Sequence, residues 1–521
     1  MARLTATLLN LLVAVVCFWV MPANTQQIGL TIGDLKGSAL EIGNLRAQLS
    51  LSKATNSLEL QLGEIKVQGV AWRRVRISCG EFKLDKQIID CARGTLYAGE
   101  QVTPLKLRYA GADGKLHVQL LPARNQTWDL SARFADGGVQ TDITVNNGDM
   151  VILEPWLPPG MPRPSRGLLN GRVTLLSRPG YANVEAQFAL SALDFSDAAG
   201  LRAGQNVSAT LSLVGRRNSS AWDWQAGMGW DGGEVYWQPL YFAKAGHHIA
   251  ARGRYDRGAL TLERARLQLA GMGVLQVSGI WDLSRKRLKD LDLNGRELAL
   301  GDLFTLLIRP FLEHTLLGET RAVGNGDIGL KMRDGKWAEF QLALQNATLE
   351  DDKGRYALHG VDLNLPWARD KPVQASISIK NGALLHVPFG PLTTEARLHG
   401  GELSLAKLAL PVLDGVLNVD GLKAELRDGA WRWEFSAGLI PLSMDKLTSA
   451  MGLTPMHGTL SGVIPRVSYG EHHLRVDGAL LFKLFDGTAV VTNLEMRDPL
   501  GRASRLKAEL AMRNIDLDLL T

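Results

Sequence analysis

From about Leu30 onward, apolar and polar residues alternate along the chain. Leu58-x-Leu60-x-Leu62 leads into Ile65-x-Val67, and Leu105-x-Leu107-x-Tyr109 is followed by Leu116-x-Val118-x-Leu120. Val184-x-Ala186-x-Phe188-x-Leu190 precedes Val207-x-Ala209-x-Leu211-x-Leu213. The second half repeats the pattern at Phe340-x-Leu342-x-Leu344, Val361-x-Leu363-x-Leu365, Val373-x-Ala375-x-Ile377-x-Ile379, Leu422-x-Ala424-x-Leu426 and Trp431-x-Trp433-x-Phe435. Period two sends successive side chains to opposite faces, so each run predicts a strand with one apolar and one polar face. The chain is therefore expected to be mainly β, with successive strands running antiparallel.

The segments between runs carry turn chemistry. Asp-Gly occurs nine times, starting at Asp113, Asp136, Asp231, Asp334, Asp414, Asp420, Asp428, Asp477 and Asp486. Asn-Gly occurs five times, at Asn147, Asn170, Asn294, Asn325 and Asn381. Both dipeptides tolerate the positive φ of two-residue hairpins, so both are read as hairpin turns. They account for much of a glycine content of 55 in 521 residues. Helical signals are few. One short helix is expected from Gly301 to Glu313, interrupted by Pro310, and another from Leu442 to Met451 with Ser443 as its cap. Five prolines among residues 155–165 predict an irregular loop and a candidate boundary.

Residues 4–21 form an uncharged apolar run of 18 residues behind Arg3. That length suits a membrane anchor with the short N-tail in the cytoplasm, and a cleaved signal peptide is the alternative. Export changes how the cysteines read. In an oxidising compartment Cys79 and Cys91 are a candidate disulfide; the alternative is two buried free thiols.

Composition and charge exclude several classes. With 45% apolar residues the chain can bury a core, and a net charge of +5 without a long basic run offers no grip for nucleic acid. Gly324-Asn-Gly-Asp-Ile-Gly329 matches a dinucleotide-binding spacing, but a period-two strand follows where a helix is needed. Ser50-x-x-Lys53 and Ser443-x-x-Lys446 lack the partner motifs of penicillin-recognising enzymes. The pairs His247-His248 and His472-His473 point to opposite faces of a strand, so chelation is disfavoured and solvent-facing or turn positions are expected. Trp222, Trp224, Trp230, Trp237, Trp431 and Trp433 are expected to pack on an apolar sheet face. No metal, cofactor or catalytic residue is assigned, and the reading is not an enzyme.

Many amphipathic hairpins must hide their apolar faces. An elongated antiparallel sheet curved lengthwise into a β-taco-like groove would do so, and about 30 strands at ~4.8 Å would span on the order of 140 Å. An open apolar groove of that length is an aggregation hazard unless something apolar fills it. The candidate lining positions are Leu342, Leu344, Leu363, Leu365, Ile377, Ile379, Leu422, Ala424 and Leu426.

Residues 290–521 carry a family resemblance. It rests on Leu307-Ile-Arg-Pro-Phe-Leu-Glu-His-Thr315, Leu410-Pro-Val-Leu-Asp-Gly415, Met451-Gly-Leu-Thr-Pro-Met-His-Gly-Thr-Leu-Ser-Gly-Val-Ile-Pro-Arg-Val-Ser-Tyr469, Leu484-Phe-Asp-Gly487 and Ile515-Asp-Leu-Asp-Leu-Leu-Thr521. The chain resembles the YdbH-like branch of the AsmA-like family, relatives of TamB. The resemblance implies a bacterial inner-membrane, single-pass protein with its bulk in the periplasm, carrying phospholipid toward the outer membrane. It also implies a small outer-membrane lipoprotein or porin-like partner, and further strands beyond the tail, so the expected alternatives are an N-terminal fragment, an interrupted gene or half of a split system. Some relatives carry a "dicarboxylate transport" label. A different expectation is an assembly factor that chaperones outer-membrane proteins. The expected segments are an anchor over 1–27, β-groove over 28–300, a short helical element over 301–318, and the YdbH-like groove over 319–521.

Overall fold

In the computed structural model, described residues run from 26 to 516, apart from 37–39, 53–55, 68–69, 86, 100, 136, 158–159, 313–315, 428–429, 485–486 and 498–504. The expected anchor at 4–21 lies outside them. Among the described residues no helix is long and apolar enough to cross a membrane. Strands make up 76% of the described residues, and the strand pairings among them are antiparallel. Two compact units divide at Ala265 and Arg266, rather than at the loop around 155–165.

In the first unit each strand from Gln26–Lys36 to Arg202–Asn218 pairs with the next in sequence. Arg202–Asn218 then pairs with Ala221–Trp237, which pairs with His247–Asp256. The four strands Arg163–Arg178, Tyr181–Ser196, Arg202–Asn218 and Ala221–Trp237 have 16, 16, 17 and 17 residues. The expected loop is shorter than its prolines suggested: Pro164 already lies in the strand Arg163–Arg178, where a proline near a strand start loses little pairing.

The second unit repeats the meander with several departures, two of which bear on the site. Residues 300–312 are helical, with α-helix at Leu300–Leu303, a π-turn at Phe304–Ile308 and α-helix at Arg309–Leu312. A small hairpin of Asn381–Leu384 and Val387–Phe389 is inserted in sequence between Val373–Ile379 and Leu392–His399, which still pair directly with each other. Gly324–Gly329 lies inside the strand Thr320–Arg333.

The turn dipeptides divide into two kinds. Asp113-Gly114, Asp334-Gly335 and Asp414-Gly415 sit at strand connections, whereas Asp136, Asp428 and Asp486 lie outside the described residues. Asn147, Asn170, Asn294 and Asn325 are not hairpin turns; they lie within strands. Asp231 and Asp420 do as well. The physical reason is a set of mid-strand β-bulges, seen as register shifts at Leu169/Gly171, Gly295/Leu298, Val323/Asn325 and Asp420/Lys423. Some bulges use the left-handed backbone of a hairpin, as at Asn147 and Gly421, and a bulge bends its strand. At Gly148 and Gly171 a Cβ would stand 2.4 Å from Val145 and 2.4 Å from the Phe188 ring, so a side chain is sterically excluded there.

One clamp recurs at these bulges. Asn147, Asn206, Glu297 and Asn346 adopt φ of 48, 52, 52 and 45°, which costs strain in a residue with a Cβ. Each donates its backbone N–H to a side-chain oxygen on the adjoining strand: Asn170 at 2.8 Å, Asp194 at 2.6 Å, Asp327 at 2.8 Å and Asp362 at 2.8 Å. The donor freed from the ladder is thereby satisfied. That hydrogen bond is the largest cause holding the Asp194 carboxyl below the usual carboxylate range.

Candidate functional site

Cross-strand register decides which alternating positions share a face. In the second unit Leu342 pairs with Leu365, Leu344 with Leu363, and Leu363 with Ile377. Val373, four residues from Ile377, starts a row that continues through Leu398, Leu403, Ala424, Trp433, Tyr469, Leu474, Met496 and Leu506. All nine candidate lining residues therefore lie on one face. The neighbouring row, one residue along each strand, reads Gln374, Arg397, Ser404, Lys423, Glu434, Ser468, Arg475, Glu495, Lys507. Nine strands thus present one continuous apolar row and one continuous polar row.

The first unit does the same over a longer series. Ile28, Leu49, Leu58, Cys79, Gly94, Leu105 and Leu120 pair in turn, followed by Trp128, Val145, Gly171, Phe188, Leu211, Met228 and Ile249. The adjoining row contains Lys106, Gln119, Asp129, Thr144, Arg172, Gln187 and Ser212. None of the apolar positions from Trp128 to Ile249 lay among the nine candidates, although their alternation is as plain.

These faces are only half-covered. Leu120, Trp128, Phe188, Leu211, Met228 and Ile249 are all half-buried. In the second unit Leu344 and Ile379 are buried, Leu342, Leu363, Leu365, Ile377, Leu422 and Ala424 are half-buried, and Leu426 is exposed. Leu426 pairs with Trp431 near a hairpin end, and the two are 45% and 51% exposed. Deeper along the same strands Trp433 stacks on Tyr469 at 5.0 Å and on Phe435 at 5.7 Å. The tryptophans therefore split. Trp230 is buried, whereas Trp237 and Trp431 stand in the open, contrary to the expectation that all six pack on the sheet. Trp237 instead lies beneath the Arg202 guanidinium, 5.2 Å from its ring centre.

No family model matches this chain, and no curated protein matches it.

Cys79 and Cys91 form a disulfide between adjoining strands, and each sulfur-bearing residue is buried beside Leu49 and Phe82. His472 and His473 are exposed at a turn and the strand start after it, as expected, whereas His247 departs from expectation. His247 faces Trp230 across the ladder and is buried, 5.2 Å from the Trp230 ring and 5.8 Å from Phe242. Burial is the main cause pushing its pKa below the usual imidazole value. Strand alternation makes one member of an adjacent pair inward, and the aromatic partners sit on that side; His248 is exposed.

Ser443 precedes the helix Met444–Ala450 without capping it through its side chain. Its hydroxyl donates to Asp414 at 2.5 Å, its N–H reaches the same carboxylate at 3.0 Å, and Lys446 joins at 3.3 Å. The Ser443 hydroxyl is the foremost of the partners that hold Asp414 well below the usual carboxylate range. Ser443-x-x-Lys446 thus ties a helix to a hairpin turn. Elsewhere Arg355 closes on the buried Asp351 through two side-chain bonds at 2.8 and 2.6 Å, which lower its pKa to about 2. On the polar face Lys331–Glu339 and Arg172–Asp142 approach at 2.8 and 3.1 Å, and such exposed pairs add little stability. Among the described residues no group of three or more His, Cys, Asp and Glu side chains could hold a metal ion.

Proposed function

We propose that this chain is a YdbH-like member of the AsmA-like family and a phospholipid conduit, anchored in a bacterial inner membrane by residues 4–21 with its bulk in the periplasm. The observation that carries the reading is the pairing of an unbroken apolar row with an unbroken polar row in each unit, the apolar one half-exposed. Repeated mid-strand bulges supply an axis along which each sheet folds lengthwise into a trough. Acyl chains slide along the inward Leu, Ile, Val and Phe positions while head groups stay in water. Each methylene removed from water contributes about 0.8 kcal/mol, and the many shallow contacts of a uniform apolar row let a chain move without a deep trap. Transfer is passive and needs no catalytic step. Direction comes from its surroundings, including a small lipoprotein or porin-like protein at the outer membrane.

The test is extraction of the purified protein and phosphate analysis, with a photoreactive residue at Ile377 or Ala424. Co-purifying phospholipid and lipid adducts at both positions are expected. Lipid-free protein without adducts sinks the reading.

A second reading has one observation in its favour. The strand Arg505–Arg513 is exposed at every residue and pairs only with Gly487–Arg497 among the described residues. Such an edge can add a strand from an unfolded outer-membrane protein. Photoreactive residues at Leu506 that capture barrel proteins, with no lipid captured at Ile377, would favour this assembly role.

A further inference from the structure

The apolar face of the second unit carries a cover at one place. Leu300 and Leu303 are buried, and Phe304, Leu306, Leu307 and Ile308 pack against the same cluster as Leu342, Leu344, Leu363, Ile377 and Ile379. The sheet makes room for them. Gly326 has no side chain, and a Cβ there would stand 3.1 Å from Leu300 Cδ2, while Gly301 lies over the Ala322 carbonyl. Gly326 pairs with Leu344, so the segment sits on the apolar row itself. The strip that includes Ala424 lies on the same face, but neither Ala424 nor its row neighbours Leu403 and Trp433 belong to that cluster.

The cover is held weakly by its own structure. It runs through a π-turn at Phe304–Ile308 and contains Pro310, two features that break regular helical bonding. Its first residue has no side-chain cap. Beyond Leu303 none of its residues is fully buried, and Phe311 is 65% exposed. One of its polar ties is the ion pair Arg309–Glu319 at 3.3 Å, which is partly exposed. A helix of this length has little stability apart from its packing. Its contact with the sheet includes a short row of aliphatic and aromatic side chains on an aliphatic strip, a contact that an acyl chain can replace in kind.

We infer that the strip under residues 300–312 is an acyl-chain binding section, and that the helical segment and the lipid compete for it. This rests on the conduit reading above. The segment fills the strip when no chain is present, shielding Leu344 and Ile379 from water, and yields when a chain arrives. Passage past this point is therefore a discrete step, unlike movement along the strip at Ala424.

The experiment uses full-length protein, 3:1 phosphatidylethanolamine–phosphatidylglycerol vesicles, and photoreactive residues at Ile377 or at Ala424. In one variant, Leu300→Cys with Gly326→Cys locks the segment down by a disulfide that reductant opens; the unlocked parent receives the same reductant. In the other, Leu307→Ser weakens the packing without a crosslink. Oxidised locking is expected to lower lipid adducts at Ile377 about five-fold while leaving those at Ala424, and reduction restores them. Leu307→Ser is expected to raise adducts at Ile377 about two-fold. Adducts at Ile377 that ignore both changes overturn the inference, with the conduit reading intact. Absence of adducts at both positions in the parent overturns the conduit reading first.

Discussion

The two units solve one problem by different means. Each has a sheet with an apolar face that its polar face cannot hide. The first unit fastens adjoining strands with the Cys79–Cys91 disulfide beside a small cluster of Leu49 and Phe82, and leaves Leu120, Trp128, Phe188, Leu211, Met228 and Ile249 half-open. The second gathers Met272, Leu275, Leu298, Val361 and Ile379 into a larger cluster roofed by the helical segment. The covalent tie occupies only the stretch of its row around Cys79, whereas the helical roof stabilises by lying over the strip it covers. Stability and access therefore compete in the second unit and are separated in the first.

That contrast predicts where damage falls. Leu298 is 1% exposed, at the junction of strand and roof. Leu298→Ala removes its methyl groups from the larger cluster and should cost about 3 kcal/mol. Hydrogen exchange resolved by segment should show faster exchange across residues 266–521 and little change before 265. Equal loss in both units would mean that the division of stability drawn here is wrong.

The next effect is in the first unit. Replacing Cys79 and Cys91 together by Ser reopens a 12-residue separation and should cost about 2–3 kcal/mol, with protection lost around residues 26–110. Lipid adducts at Ala424 should be unchanged. Protection that stays as it was would assign the first unit's cohesion to its strand pairing alone.

Much of this was legible in the alternation and some was not. Period two located the strands, and it placed all nine candidate residues on one face, because register between neighbouring hairpins preserves parity wherever no bulge intervenes. The bulges themselves were hidden. Asn147-Gly148 and Asp334-Gly335 look alike in sequence, since this bulge and this hairpin both use positive φ; only pairing on both sides of Asn147 separates them. The roof was partly visible. Pro310 marked an interrupted helix, but Leu300, Leu303 and Leu307 meet Leu344 through contacts that no local pattern encodes. His247 was misread because its aromatic surroundings come from Trp230 and Phe242, several residues away in sequence.

The smallest effect distinguishes the two ways a carboxylate is used. Asp351 in the second unit is buried and gripped by the Arg355 guanidinium, with its pKa lowered to about 2. Asp194 in the first unit is also lowered, chiefly by the Asn206 N–H at a bulge. A carboxylate depressed on folding stabilises the native state above its ordinary pKa of 3.8, and the contribution fades as pH falls through the folded value. For Asp351 the loss should run from about pH 4 down to about 2. Asp351→Asn leaves Arg355 facing an amide, and should cost about 2 kcal/mol near neutral pH. It should also flatten the second unit's acid response. Asp194→Asn keeps an oxygen that can accept the Asn206 N–H, so the bulge survives and the first unit should change less. Acid titration of exchange rates in both variants makes the check: if Asp194→Asn loosens its unit as much as Asp351→Asn does, the bulge clamps depend on charge, and the Asn170 clamp at Asn147 should then be the weakest of the four.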